Sequence, residues 1–163
     1  MIAVSAVQQM AVPGWARGLT ALGSVDYEDA FVVEAPAAAR GGAVDWARAV
    51  LEQAPARLRH EVRGAWSALG LRLEPPGSDD AVLGWHLRRE ESEVAILAAS
   101  SPLGIGGELV FARRPEGYLY GTFVSLADEE ARRTWARVEP AHPAVVRELL
   151  ELAAARDARG RRR

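Results

Sequence analysis

The sequence contains no cysteine, no lysine and no asparagine, and all 20 of its basic side chains are arginine. Without cysteine there can be no disulfide framework, no thiolate metal site and no cysteine nucleophile. No stretch approaches the ~20 apolar residues of a membrane-spanning helix. Residues 1–22 are interrupted by polar, proline and glycine residues and lack the basic leader and unbroken apolar core of a signal peptide. We therefore expect a cytoplasmic protein with no membrane partner.

The sequence also lacks a large excess of either positive or negative charge. The net charge is −2 because 22 acidic residues are spread among the arginines, whereas a nucleic-acid-binding domain usually shows a basic excess. The exclusive use of arginine indicates the codon bias of a GC-rich bacterial genome more than phosphate recognition. An exception is the Arg-rich tail 156–163, which holds five arginines against one aspartate. We predict no nucleic-acid partner.

Length and composition indicate one globular domain. The 163 residues are 49% apolar and 26% charged, and a chain of this size forms one ordinary domain with a single core. We expect that domain to span 24–155. The preceding segment 1–23 matches neither a helix nor a strand pattern well, so the sequence does not predict whether this segment is structured.

Hydrophobic periodicity predicts an α+β fold. Residues 25–34 alternate as in a strand with one buried face. Apolar residues at helical spacing follow over 44–54 and again over 55–70. Short links then separate four strand-like runs, which indicates antiparallel neighbours. The four runs are 82–89, 93–99, 108–113 and 118–126, with a longer link over 100–107.

The chain ends in a helical pattern with an interruption. Asp128 is placed to cap a helix whose first turn holds acidic residues, which are favourable at that end. Pro140 and Pro143 interrupt the pattern before it resumes, so we predict a kinked or two-part C-terminal helix. A curved antiparallel sheet can bury its concave face against such a helix.

The order of elements resembles the helix-grip fold of the START and SRPBCC superfamily, in which a curved antiparallel β-sheet packs on a long kinked C-terminal helix. Three short motifs strengthen the resemblance, which extends from Val25 to Ala153. Together they are similar to an uncharacterised bacterial family of domains of unknown function within that superfamily. The motifs are Asp26-Tyr27-Glu28-Asp29-Ala30-Phe31, Leu83-Gly84-Trp85, and Trp135 with Pro140 and His142.

The resemblance implies ligand binding and no established reaction. Relatives in the superfamily mostly hold apolar ligands between the sheet and the final helix, and a few are polyketide cyclases. Some members of the family are fused to a dinucleotide-binding oxidoreductase domain, which a chain of 163 residues is too short to contain as well. Gly104-Ile105-Gly106-Gly107 precedes a predicted strand and not a helix, so it is not a dinucleotide fingerprint. We expect no cofactor.

Two polar residues are the most informative. Asp29 lies on the apolar face of its strand, where an unpaired carboxylate is costly. It is either a polar anchor in a pocket or a structural aspartate satisfied by backbone N–H groups or an arginine. His142 either faces the sheet or caps the last helix. The candidate ligand-binding residues are Asp29, Trp85, Ser100, Tyr120, Trp135 and His142.

Several predicted strands carry apolar residues on both faces. Tyr118, Tyr120 and Val124 share one face of the last strand, and Leu119 and Phe123 share the other. A sheet covered on one side should alternate more cleanly. The additional apolar side chains could line a cavity, form a dimer interface or pack on the first two helices.

Three functions remain open. The leading hypothesis is a domain that binds a small hydrophobic or aromatic molecule. The second is an enzyme, such as a polyketide cyclase or dehydratase that uses Asp29 and His142, although no recognisable catalytic motif is present. The third is an interaction or homodimer module, for example a companion of an oxidoreductase. Three scattered histidines without ligand spacing predict no metal site.

Overall fold

The computed structural model describes residues 6–34, 41–115 and 117–161. Over these residues the chain is α+β, with a seven-stranded antiparallel sheet, a long C-terminal helix and a few short helices. The strands are β1 Val7–Met10, β2 Tyr27–Val33, β3 Ala81–Val82, β4 Trp85–Glu90, β5 Val94–Ser101, β6 Ile105–Arg114 and β7 Gly117–Leu126. Their order across the sheet is β1-β2-β7-β6-β5-β4-β3. The helices are α1 Gly14–Arg17, α2 Ala43–Leu51, α3 Ala56–Ala68, α4 Glu129–Val138 and α5 His142–Arg161.

The predicted antiparallel meander is confirmed, with two corrections at its turns. The run 82–89 is divided between β3 and β4, because the chain turns at Leu83 and Gly84, which have φ values of 47° and 92°. The link 100–107 is shorter than predicted, since Ser101 pairs directly with Ile105. Gly104 lies in the turn with a φ of 85°, whereas Gly106 and Gly107 lie within β6, where pairing and close packing override their weak strand propensity.

The C-terminal helix is in two parts, as predicted. The Asp128 carboxylate accepts a hydrogen bond from the Ala131 backbone N–H at 2.8 Å and so caps α4. A 3₁₀ turn over Glu139–Ala141 separates α4 from α5. The second part, α5, continues into the segment 156–163 as far as Arg161. No helix in the described part of the chain is long and apolar enough to cross a membrane.

The main core lies on one side of the sheet, which we call the inner face. Side chains of β2, β5, β6 and β7 pack there against α2, α3 and α5. Trp46 of α2 stacks on Tyr118 with ring centroids 4.4 Å apart and contacts Phe111 edge-on at 5.2 Å. Aromatic contacts of this kind add stability beyond the apolar area they bury. They join α2 firmly to the centre of the sheet.

The opposite, outer face is covered by residues 12–22, which we call the N-terminal cover. Val12 and Ala16 of the cover are buried against the outer face, with Leu19 and Leu22 packed beside them. Before the cover, β1 pairs with β2 at one edge of the sheet. The strands therefore carry apolar side chains on both faces because the N-terminal cover packs on the outer face and the main core packs on the inner face.

Candidate functional site

A cavity of about 320 Å³ lies between the inner face, α3 and the two C-terminal helices. This volume is at the lower end of the range for small-molecule sites. Most of its wall is apolar, and the indole rings of Trp66, Trp85 and Trp135 contribute to it. Glu61 of α3 and Arg137 of α4 also border the cavity and are exposed. They mark its mouth, between these two helices.

One part of the wall is polar. Tyr120 and Thr122 of β7 and His142 at the start of α5 line the cavity there. Asp29 lies directly opposite Thr122 in the β2–β7 pairing, and Tyr27 lies two residues before it on the same face of β2. We refer to these five residues as the polar cluster. The sheet supplies four of them, and the break between α4 and α5 positions the fifth.

Three hydrogen bonds and one close histidine–carboxylate contact connect the polar cluster. The Tyr27 hydroxyl donates to Asp29 Oδ2 at 2.7 Å, and His142 Nε2 lies 3.1 Å from the same oxygen. His142 Nε2 is also 3.2 Å from Thr122 Oγ1, and Thr122 Oγ1 is 2.9 Å from the Tyr120 hydroxyl. Asp29 is only 5% exposed. Its Oδ1 atom is buried and has no hydrogen-bond partner among the described residues.

The carboxylate fixes the tautomer of the histidine. An ionised carboxylate can only accept hydrogen bonds, so the ring nitrogen that faces Asp29 must carry a proton. In the neutral His142 ring the other nitrogen, Nδ1, is then an acceptor and a base. Asp29 itself lies behind His142 and does not border the cavity. Its effect on anything in the cavity is exerted through the histidine.

Both tyrosines of the polar cluster keep their protons. Burial, followed by the hydrogen bond to Asp29, raises the pKa of Tyr27 far above its ordinary value. Burial, followed by the negative charge of Asp29, does the same to the pKa of Tyr120. The two hydroxyl groups are therefore hydrogen-bond donors throughout the neutral range.

The raised pKa of Tyr120 makes stability depend on alkaline pH. Above the ordinary tyrosine pKa of about 10 the unfolded chain loses this proton while the folded chain retains it, so stability falls as pH rises. One such group contributes about 1.4 kcal/mol per pH unit. Between pH 10 and 11, where the unfolded tyrosine is only partly ionised at first, we expect the free energy of unfolding of Tyr120→Phe to fall by about 1 kcal/mol less than that of the parent. Urea unfolding at several pH values measures the two slopes; parallel slopes above pH 10 would contradict the assignment.

The structure places most of the predicted site residues together. Trp85, Tyr120, Trp135 and His142 border the cavity, and Asp29 contacts His142 behind its wall. Ser100 is the exception: it is exposed and does not border the cavity. Alternation explains this correction, because Leu97 and Ala99 pack into the inner core and Ser100 must point the other way.

Sequence analysis missed three members of the site. They are Tyr27, which entered only as part of a motif of the resembled family, and Thr122 and Trp66, which were not singled out. A usable signal exists in hindsight, since Tyr27-x-Asp29 and Tyr120-x-Thr122 both repeat a polar side chain on an otherwise apolar face. Only the pairing of β2 with β7 shows that the two motifs are adjacent.

The site can bind, orient and exchange a proton with a small molecule through its own side chains. In the described residues no group of three or more histidine, aspartate or glutamate side chains is arranged to hold a metal ion. Comparisons with models of protein families, with curated proteins and with solved structures find no match to this chain.

Proposed function

We propose that this chain binds a small hydrophobic or aromatic molecule in the cavity between the sheet and the C-terminal helix. The observation that carries the proposal is an apolar cavity of about 320 Å³ with a single polar cluster at its wall. Small-molecule sites have this composition, because apolar walls supply affinity and a few fixed polar groups supply orientation. In such a site His142 is the polar anchor, and Asp29, which contacts it from behind the cavity wall, orients it.

We also propose that the fold is the helix-grip fold and that the chain is related to the START and SRPBCC superfamily. Two features support this. The inner face of the sheet packs against α5, and two short helices lie between β2 and β3. A cytoplasmic location and a role beside a separate oxidoreductase remain proposals of the same kind.

Filling the cavity tests the proposed function. Val145 borders the cavity from α5, whereas its neighbour Ala144 is exposed and does not. We expect Val145→Trp to weaken binding of the fluorescent apolar probe N-phenyl-1-naphthylamine at least tenfold, because the indole occupies the volume that the probe needs. Ala144→Trp is the matched control and should bind the probe as the parent does. Equal loss in both variants, or none in either, would contradict a ligand site in this cavity.

Native mass spectrometry of gently purified protein addresses the natural ligand. A reproducible mass of small-molecule size above the denatured chain is the expected result. The added mass should be absent from Val145→Trp and present in Ala144→Trp. An adduct that persists in Val145→Trp would place the bound molecule elsewhere.

A second candidate function is acid–base catalysis, and the Asp29–His142 distance of 3.1 Å favours it. A histidine oriented by a buried carboxylate is a common general base. A dehydratase would use His142 Nδ1 to remove the α-proton of a β-hydroxy ketone, and the imidazolium so formed would return that proton to the departing hydroxide, which leaves as water. Formation of the enone from 4-hydroxy-4-phenylbutan-2-one, followed by ultraviolet absorbance, tests this. Turnover by the parent that His142→Gln retains in full would refute it.

The third reading, an interaction or homodimer module, requires an available apolar face. The N-terminal cover occupies the outer face over its central strands, so we do not place a partner there. Light scattering coupled to gel filtration determines whether a homodimer forms through another surface.

A further inference from the structure

We infer that Glu61 and Arg137 form a gate: an ion pair between their side chains closes the mouth of the cavity behind a bound molecule and breaks to release it. The inference rests on the proposed function and adds how access to the same cavity is controlled. It follows from the charges at the mouth and from the way α3 is attached to the rest of the fold.

Two opposite charges lie at the mouth without an ion-pair partner of their own. Glu61 belongs to α3 and Arg137 to α4, and both side chains are exposed where they border the cavity. Within the described ranges neither side chain forms a hydrogen bond or an ion pair with another residue. The two charges approach the opening from different helices and are available to each other.

Neighbours on the same helix do not neutralise these charges. Side chains three or four residues apart meet on a helix surface. The basic neighbour of Glu61 at this spacing is Arg57, which is already paired with Glu148 of α5 at 2.5 Å. Glu148 dominates the electrostatic surroundings of Arg57, and Glu61 is a weaker influence on it. The charged neighbour of Arg137 at this spacing is Arg133, which has the same sign. A pair across the mouth is the arrangement that satisfies both charges.

The movable side of the mouth is α3. The backbone hydrogen bonds of this helix are all local. Exposed Arg57 makes the one hydrogen bond that joins a side chain of α3 to another element in the described part of the chain. Only Leu58 and Val62 of the helix are buried, and Trp66 adds an edge-to-face contact with Trp85. Elements with few buried contacts undergo small displacements at low cost.

The fixed side of the mouth is α4. Asp128 caps its first turn, and Ala131 and Trp135 are buried against the end of the sheet. Arg137 follows Trp135 by two residues, so the backbone that carries it is held in place. A small movement of α3 toward α4 brings Glu61 to a guanidinium whose position is already set.

An exposed ion pair has the strength that a gate needs. Such pairs are weak and are screened by salt, so this one can break each time a ligand enters or leaves. While it is broken, both charges are hydrated at the surface and no buried charge is left unpaired. While it is formed, it hinders water from reaching the apolar wall and the ligand from leaving.

The kinetics of N-phenyl-1-naphthylamine binding to the full chain test the gate. Stopped-flow fluorescence at several probe concentrations and low ionic strength gives the association and dissociation rate constants. We expect Glu61→Gln and Arg137→Gln each to raise the dissociation rate constant about threefold, as the loss of one exposed ion pair provides. Both substitutions are at exposed positions and leave the core intact.

Charge reversal separates a gate from direct contact with the probe. Glu61→Arg alone places two arginines at the mouth and should release the probe at least as fast as Glu61→Gln. Adding Arg137→Glu restores opposite charges in exchanged positions and should return the dissociation rate constant to within about twofold of the parent value. Exchanging two side chains that each contacted the probe directly would not restore it.

Arg133→Gln is the matched control, because Arg133 is exposed on α4 but does not border the cavity. This variant should release the probe at the parent rate. High salt should raise the dissociation rate constant of the parent to that of Glu61→Gln and leave the Glu61→Gln value unchanged, since dissolved ions screen an exposed pair.

The outcomes separate the gate from the proposed function. If the parent binds the probe and every variant releases it at the parent rate, the cavity binds apolar molecules but the gate is wrong. The gate is also wrong if the exchanged pair releases the probe as fast as Glu61→Arg alone. If the parent does not bind the probe, the proposed function is wrong and the gate fails with it.

Discussion

Glu108→Ala is expected to lower the free energy of unfolding by about 3 kcal/mol, because it removes a buried carboxylate that pairs with a partly exposed arginine and accepts two further hydrogen bonds. Glu108 is only 2% exposed although it lies on the outer face of β6. Its Oε2 atom is 2.7 Å from Nε of Arg88. Its Oε1 atom accepts hydrogen bonds from the Thr20 hydroxyl at 2.6 Å and the Ala21 backbone N–H at 2.9 Å. One carboxylate therefore fastens the N-terminal cover to the sheet.

The Glu108→Ala substitution should destabilise the N-terminal cover more than the rest of the fold. Without the carboxylate, two groups of residues 20–21 lose their acceptor and the apolar contacts of Val12 and Ala16 are no longer held in register. Arg88 remains partly exposed and can be hydrated, which is why we expect the lower end of the usual range. Hydrogen exchange should become faster in residues 12–22 than in β6 and β7.

Urea unfolding measures the global effect, and Glu90→Ala is the matched control. Glu90 lies on β4, which β5 separates from β6, and it is exposed, so its removal should change stability by about 0.5 kcal/mol or less. Glu108→Gln keeps an acceptor oxygen and should be intermediate. A Glu108→Ala variant as stable as Glu90→Ala would show that this carboxylate does not hold the cover.

The second large effect is expected at the centre of the inner face. Phe111→Ala should lower the free energy of unfolding by about 4 kcal/mol, through lost burial and the cavity left behind. Phe111 is completely buried and contacts Trp46 of α2 and Tyr120 of β7 edge-on, with centroids 5.2 and 5.3 Å apart. It connects the α2 contact to a tyrosine of the polar cluster.

Phe111→Leu separates volume from ring geometry. It retains most of the buried volume and should lower the free energy of unfolding by about 1.5 kcal/mol or less. Because Tyr120 borders the cavity and loses its edge-on neighbour in both variants, both should also weaken binding of N-phenyl-1-naphthylamine. Denaturant unfolding and probe titration measure the two effects. Equal stability of the alanine and leucine variants would contradict close packing around Phe111.

Local patterns were sufficient to predict most of the elements. Period-two alternation located β2 and the meander, and helical spacing located α2 and α3. The cap at Asp128 and the break near Pro140 were also readable, because capping and proline chemistry act over a few residues. Local patterns did not predict the turn at Leu83 and Gly84 or the tight β5–β6 connection. Pairing between strands decides where a strand ends, and that pairing is not a local property.

The N-terminal cover had no local signature. Residues 12–22 contain one short helix, α1, and otherwise irregular backbone, so no periodicity identifies them. Their order comes from contacts with the outer face and from the buried carboxylate of Glu108, a residue that sequence analysis did not single out. Sequence analysis did identify apolar residues on both faces of the strands, but it assigned the additional apolar residues to a cavity, a dimer interface or the first two helices and not to residues 12–22.

The sequence by itself determined the α+β class, the order of the main elements and the anomaly of a carboxylate on an apolar strand face. These depend on side-chain periodicity and on the cost of burying charge, both of which are local properties. Only the tertiary structure decided that Asp29 lies opposite Thr122, that His142 comes within 3.1 Å of it, and that Ser100 points away. These relations depend on which strands pair and on where the break between α4 and α5 places the first residue of α5. Contacts between residues far apart in the sequence determine both.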